Sequence, residues 1–121
     1  MKIEEIDGCF SICKVKDYKQ INLDSEYCFI GKTDMEKSLV CLTEEVPDHV
    51  IARDDGWRAF RVQGILDFSL IGVLSKITAI LAQNKIGVFV VSTYDTDYVL
   101  IKKENYGRTL KLLSSAGYEI L

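Results

Sequence analysis

Little in this sequence supports catalysis of the familiar kinds. There is one histidine, His49, in an acidic stretch near Pro47, and it reads as a solvated surface side chain. The four cysteines, Cys9, Cys13, Cys28 and Cys41, lie in the first third of the chain. They lack the paired Cys-x-x-Cys or Cys/His spacing that a zinc site needs. They read instead as small buried hydrophobes on strands, reduced in a cytosolic setting. Gly64 and Gly72 do not have the spacing of a P-loop or Rossmann phosphate loop. No nucleophile elbow is present. These gaps predict a protein that is not an enzyme and carries no cofactor and no metal.

Excess positive charge is also missing. Lys and Arg total 15 against 18 Asp and Glu, a net charge of −3. Binding to a phosphate backbone needs clustered cations, so nucleic acid is excluded as the main partner. Long apolar runs are absent too. The most apolar stretch, Ile65 to Leu81, is interrupted by Asp67, Ser69, Lys76 and Thr78, whereas a membrane span needs about 20 predominantly apolar residues. Met1 to Phe10 holds no apolar core and is no signal peptide. No membrane partner and a cytoplasmic location are the expectations.

What is present is an ordinary globular composition. The 121 residues are 48% hydrophobic and 27% charged, enough for one domain or two very small ones with a core that needs no staples. The halves differ. Residues 58–121 are strongly periodic, and residues 1–57 are charge-rich and broken by turn signals.

In the second half, Trp57 to Val62 reads as a strand ended by Gly64. Asp67 or Ser69 is a candidate N-cap for a helix running to about Asn84. Ile71, Leu74, Ile77 and Leu81 form one apolar face, and Leu70, Val73, Ile77 and Ile80 a second stripe, so both sides of the helix should be covered. Ile86 to Val91 reads as a strand buried on both faces. Ser92 to Thr96 is a polar turn, Asp97 to Lys102 the partner strand, Asn105 to Ser115 a second helix stopped near Gly117, and Tyr118 to Leu121 a short last strand. The order β-α-β-β-α-β is the ferredoxin-like arrangement, and the fold class is α+β.

The first half reads as the same plan in reduced form. Gly8 to Val15 is a strand, and any helix over Tyr18 to Leu23 is short. Tyr27 to Gly31 and Ser38 to Leu42 form a hairpin, Thr43 to Val46 a capping turn, and Asp54-Asp55-Gly56 a turn into Trp57. The expected architecture is two fused ferredoxin-like βαββαβ units with antiparallel sheets and helices on one face. The boundaries are a reduced unit over 1–56 and a full unit over 57–121.

The run from Gly64 to Leu74 (GILDFSLIGVL) and the run from Ile86 to Tyr98 (IGVFVVSTYDTDY) resemble the ACT domain. Within that family the chain is similar to small bacterial tandem-ACT proteins and to the cytosolic arginine sensors of the CASTOR type. The resemblance implies a regulatory module that binds a small molecule, most often an amino acid, at the interface between two such units. The ligand would meet the loop from first strand to first helix, together with the second strand and its turn.

The residues suit that reading. A helix opening near Asp67 to Ser69 presents unpaired N–H groups and a positive dipole end to a carboxylate. Gly72 permits close approach, either of a ligand or of a packed strand. Leu66, Phe68, Leu70, Val73 and Leu74 are candidates to line the site, and the apolar ones hint at a small or hydrophobic amino acid. Thr93 and Thr96 offer hydroxyls and Tyr94 an aromatic wall. Asp95 and Asp97 are candidates for the α-ammonium group, with Asp97 the strongest single contact and Asp95 first of all a hairpin-turn residue. Asp67 equally serves as an N-cap alone. The alternative function is a dimerising interaction module without a ligand. A homodimer, and a further protein partner, are expected in either case.

Overall fold

The computed structural model of the chain describes residues 1–63 and 72–121. Seven strands and two helices follow in order: β1 (Lys2–Lys14), β2 (Cys28–Lys32), β3 (Lys37–Leu42), a 3-10 turn (Thr43–Glu45), β4 (Ala52–Val62), α1 (Val73–Gln83), β5 (Phe89–Ser92), β6 (Asp97–Lys102), α2 (Lys103–Ser115) and β7 (Glu119–Ile120). The protein is α+β. Two compact units are formed, one from Met1–Asp7 with Arg58–Leu121, the other from Gly8–Trp57.

The first unit holds both helices. Its strands lie in the order β7-β1-β4-β6-β5. The start of β1 therefore sits between the last strand and β4. It pairs in parallel with β7 through Lys2–Glu119 and Ile3–Ile120, and the Gln63 N–H donates to the Lys2 carbonyl at 2.9 Å. Sequence periodicity begins this strand at Gly8, because Glu4, Glu5 and Asp7 disguise the segment before it. Pairing accounts for the first of those charges: Arg61 holds Glu4 through two hydrogen bonds of 3.0 and 3.3 Å.

Alternation builds the core of this unit. Phe60 and Val62 on β4, and Val99 and Ile101 on β6, turn to one face and are fully buried. Ile77 and Leu81, four apart on α1, and Leu113 on α2 cover that face, with Tyr106 one edge of the same cluster. Val73, Leu74 and Ile80 pack against it while half-buried.

The second unit is a sheet in the order β2-β3-β1-β4. Its β1–β3 and β2–β3 pairs are antiparallel. Cys13, Val15, Leu39 and Cys41 form one buried cluster in it, and Phe10 and Val40 are buried as well. The buried hydroxyl of Ser11 donates to the Asp55 carboxylate at 2.5 Å and lies 2.9 Å from the Thr43 hydroxyl. The 3-10 turn is the sole helical element in this unit.

Four expectations are corrected. Asp54, Asp55 and Gly56 are not a turn but part of β4, because Gly56 takes a φ of 85° and bends the strand without ending it. β5 begins at Phe89, not Ile86, and is not buried on both faces. It stands last in the strand order of its unit, and Phe89, Val90 and Val91 are half-buried. Cys9 is exposed, while Phe10 and Ser11 beside it are buried. The fourth correction concerns the start of α1, which belongs to the site.

Candidate functional site

The helix α1 opens later than its pattern suggests. Its N-cap is Gly72, with φ 83° and ψ 4° in the left-handed region, and no side chain caps it. The first helical bond runs from the Lys76 N–H to the Gly72 carbonyl at 3.1 Å. Asp67 and Ser69, read as N-caps, lie outside the described residues, as do Leu66, Phe68 and Leu70. A Cβ on Gly72 would meet the Ser75 hydroxyl at 3.6 Å, an ordinary contact. The glycine is thus required by its backbone angle and not by lack of space. The Val73, Leu74 and Ser75 amides occupy the first turn, where helical N–H groups have no partner within the helix. Val73 and Lys76 border an open cleft of about 310 Å³, which Gly117 and Tyr118 also line.

The β5–β6 turn carries the second group of candidates. The Thr93 N–H and hydroxyl both donate to the Thr96 carbonyl, at 2.8 and 3.0 Å, which closes the turn. The Thr96 hydroxyl, 8% exposed, donates to the Val62 carbonyl at 2.9 Å. This bond ties the turn to the end of β4, where the chain leaves for α1. Thr96 is therefore engaged in positioning the turn. Ser92 and Asp97 are directly paired across the hairpin, and the serine hydroxyl donates to the Asp97 carboxylate at 2.5 Å. Tyr94 is 82% exposed, and Asp95 is exposed at the tip.

One cation fastens the scaffold beside this turn. The Arg61 guanidinium grips Glu4 and also donates to the Tyr98 hydroxyl at 2.9 Å, with the Tyr98 ring centroid 5.7 Å away. The Glu4 bond first, and the Tyr98 bond second, raise its pKa further above the ordinary arginine value. Glu4, Arg61 and Tyr98 lock β1, β4 and β6 together one residue from Val62 and Asp97. The sequence reading missed Val62 and Ser92 as anchors. Ser92 becomes legible once the hairpin register is known; Val62 contributes a backbone carbonyl, which leaves no side-chain signal.

The structure thus places Thr93–Asp97 at the end of β4, and Gly72–Leu74 where α1 begins. Among the described residues no group of three His, Cys, Asp or Glu side chains is arranged to hold a metal, and no helix is long and apolar enough to cross a membrane.

A family model described as ACT domain matches residues 52–115. The crystal structure of a protein from Agobacterium tumefaciens has a TM-score of 0.86 at 32% identity, covering 99% of this chain and 91% of that one. A Vibrio cholerae protein of unknown function, described as a possible transport protein, gives 0.73 at 18% identity, over 94% of this chain and 88% of that one. Aspartate kinase from Clostridium acetobutylicum gives 0.67 at 10% identity, over 91% of this chain and 33% of that one. The last two likenesses are of fold. No curated protein matches the chain significantly.

Proposed function

The chain belongs to the ACT domain family, and from that premise we propose that it is a non-catalytic regulatory protein that binds an amino acid or similar small metabolite. Domains of this family are in general regulatory and amino-acid binding. The carrying observation is that the matched region, 52–115, contains both the opening of α1 and the β5–β6 turn, and that Thr96 bonds this turn to the end of β4. First-turn amides suit a carboxylate. Asp97, held in place by Ser92, suits an ammonium group. The Clostridium aspartate kinase is described as an allosteric enzyme, which agrees with a regulatory reading.

Two repeated features support a tandem organisation. β3 and β6 begin 60 residues apart, at Lys37 and Asp97, and share one burial pattern along their six residues. Their preceding turns close identically, with the Thr33 N–H donating to the Glu36 carbonyl at 2.9 Å where Thr93 donates to Thr96 at 2.8 Å. The second unit is then a reduced ACT-like unit whose helical connections have shrunk. A cytoplasmic homodimer acting on a protein partner, of the small tandem-ACT or CASTOR type, completes the proposal.

The test is a thermal-shift screen against the twenty amino acids, with nucleotides and keto acids as controls. Ligand at 100 times its Kd adds roughly 2.7 kcal/mol of stability. The expected result is a rise in Tm for one or two amino acids, abolished in a folded Asp97→Ala variant. Silence across the panel, with a dimer in light scattering, would replace this reading with an interaction module. Undiminished affinity in Asp97→Ala would remove Asp97 from the site.

A further inference from the structure

We propose that the unit formed by Gly8–Trp57 has a binding site of its own, for a small aliphatic carboxylate, in the cleft between the end of β1 and the β2–β3 turn. The proposal rests on the ligand-binding reading above and extends it to a place that reading does not assign. The cleft has a volume of about 280 Å³, near the lower end of small-molecule sites. Val15, 4% exposed, is its buried wall. Lys14, Lys16 and Lys37 border it, and so do two large apolar side chains left in water, Met35 at 82% and Ile51 at 61% exposure.

The charge arrangement is the decisive observation. Lys32 and Lys37 are directly opposed across the β2–β3 pair, and like charges in that position destabilise a hairpin. Among the described residues neither lysine has a carboxylate within ion-pair distance. At the equivalent place in the other hairpin stand Ser92 and Asp97, joined by a hydrogen bond. One hairpin end is therefore satisfied internally, and the other brings Lys37 of the opposed pair to the cleft beside Lys14 and Lys16, where the three lysines outnumber Asp34 and Glu36 and a bound anion would relieve the surplus.

The turn is built to hold its shape while empty. The Thr33 hydroxyl accepts from the Met35 and Glu36 N–H groups, at 3.1 Å each. The Val15 N–H donates to the Lys37 carbonyl at 2.9 Å, and the Ile51 N–H to the Lys14 carbonyl at 2.8 Å. A carboxylate at the lysines would lay an aliphatic chain against Met35 and Ile51. Asp34 and Glu36, on the same turn, are placed to accept an ammonium group if the ligand is an amino acid.

The experiment is a titration of the full ¹⁵N-labelled chain, followed by amide chemical shifts. The probes are L-leucine and 4-methyl-2-oxopentanoate, which share the carboxylate and the aliphatic chain and differ in the ammonium. Saturable shifts at residues 14–16, 33–37 and 51 with either probe support the proposal, and the tighter probe names the class. The double variant Lys14→Gln/Lys37→Gln, with its dispersed spectrum intact, should then bind at least tenfold more weakly. Unchanged affinity in that variant overturns the proposal. Shifts confined to residues 72–74 and 93–97 overturn it too, while leaving the family-based reading standing. Absence of shifts anywhere, with a silent thermal screen, overturns both.

Discussion

Burial governs the thiols. It raises the pKa of Cys13 and Cys28, and carries Cys41 from an ordinary 9.0 to about 12, with Cys13, Cys28 and Glu45 adding smaller upward pushes. Cys41 is 3% exposed. A group whose pKa is higher folded than unfolded leaves stability intact below the unfolded value. That stability is lost as pH climbs to the folded value. Unfolding free energy should accordingly fall between pH 9 and about 12, and Cys41→Ala should flatten the fall, as urea titrations at stepped pH will register. Ellman's reagent should meet Cys9 first in the native protein, since it is the exposed thiol, and all four after denaturation. Asp97 illustrates how far residue chemistry was legible. An acid opening an apolar strand needs a partner or water, and that argument singled it out. The partner, Ser92, follows from hairpin register and not from the aspartate's own neighbourhood.

At the scale of elements, apolar spacing was enough to locate both helices: Ile77 and Leu81 are buried on α1, and Tyr106 and Leu113 on α2, where Leu110, read onto the same face, is half-buried and the polar Thr109 is buried instead. Helix starts were harder. α1 begins at Val73, after Gly72 at a left-handed φ, and nothing in the apolar pattern marks that angle. Periodicity reports which side chains want burial, and a single backbone angle overrides it. Gly72→Ala should cost about 1 kcal/mol, since a Cβ is disfavoured at that φ while nothing crowds it. Chemical denaturation would show this as a lower midpoint with an unchanged slope. A neutral result would mean that the backbone at residue 72 can settle in the right-handed region. β4 teaches the same lesson in reverse. Asp-Asp-Gly is a turn signal, but here the glycine bends a strand whose polar residues pair: Asp55 takes bonds from Ser11 and from Arg53 at 3.1 Å.

For the whole molecule, the cost of losing a core contact is set by how completely the site is enclosed. Leu81 is 0% exposed within the cluster of Ile3, Phe60, Ile77 and Leu113. Leu81→Ala should therefore cost about 2–5 kcal/mol, read from equilibrium unfolding; a loss below 1 kcal/mol would show that the helices collapse onto the gap. The class of fold, the two helices and both hairpins were determined by the sequence itself, because helix and strand periods and turn residues are local properties of the chain; the family was legible through the resemblance of the runs Gly64–Leu74 and Ile86–Tyr98. Tertiary structure alone decided that the first residues of β1 enter between β7 and β4, that Asp97 and Thr96 already have partners, and that Lys32 faces Lys37. The entry of β1 and the Thr96–Val62 bond depend on pairing between segments far apart in sequence, the Ser92–Asp97 and Lys32–Lys37 pairs on the register of a hairpin, and in both cases register is chosen by what the neighbouring strand offers, not by the strand's own residues.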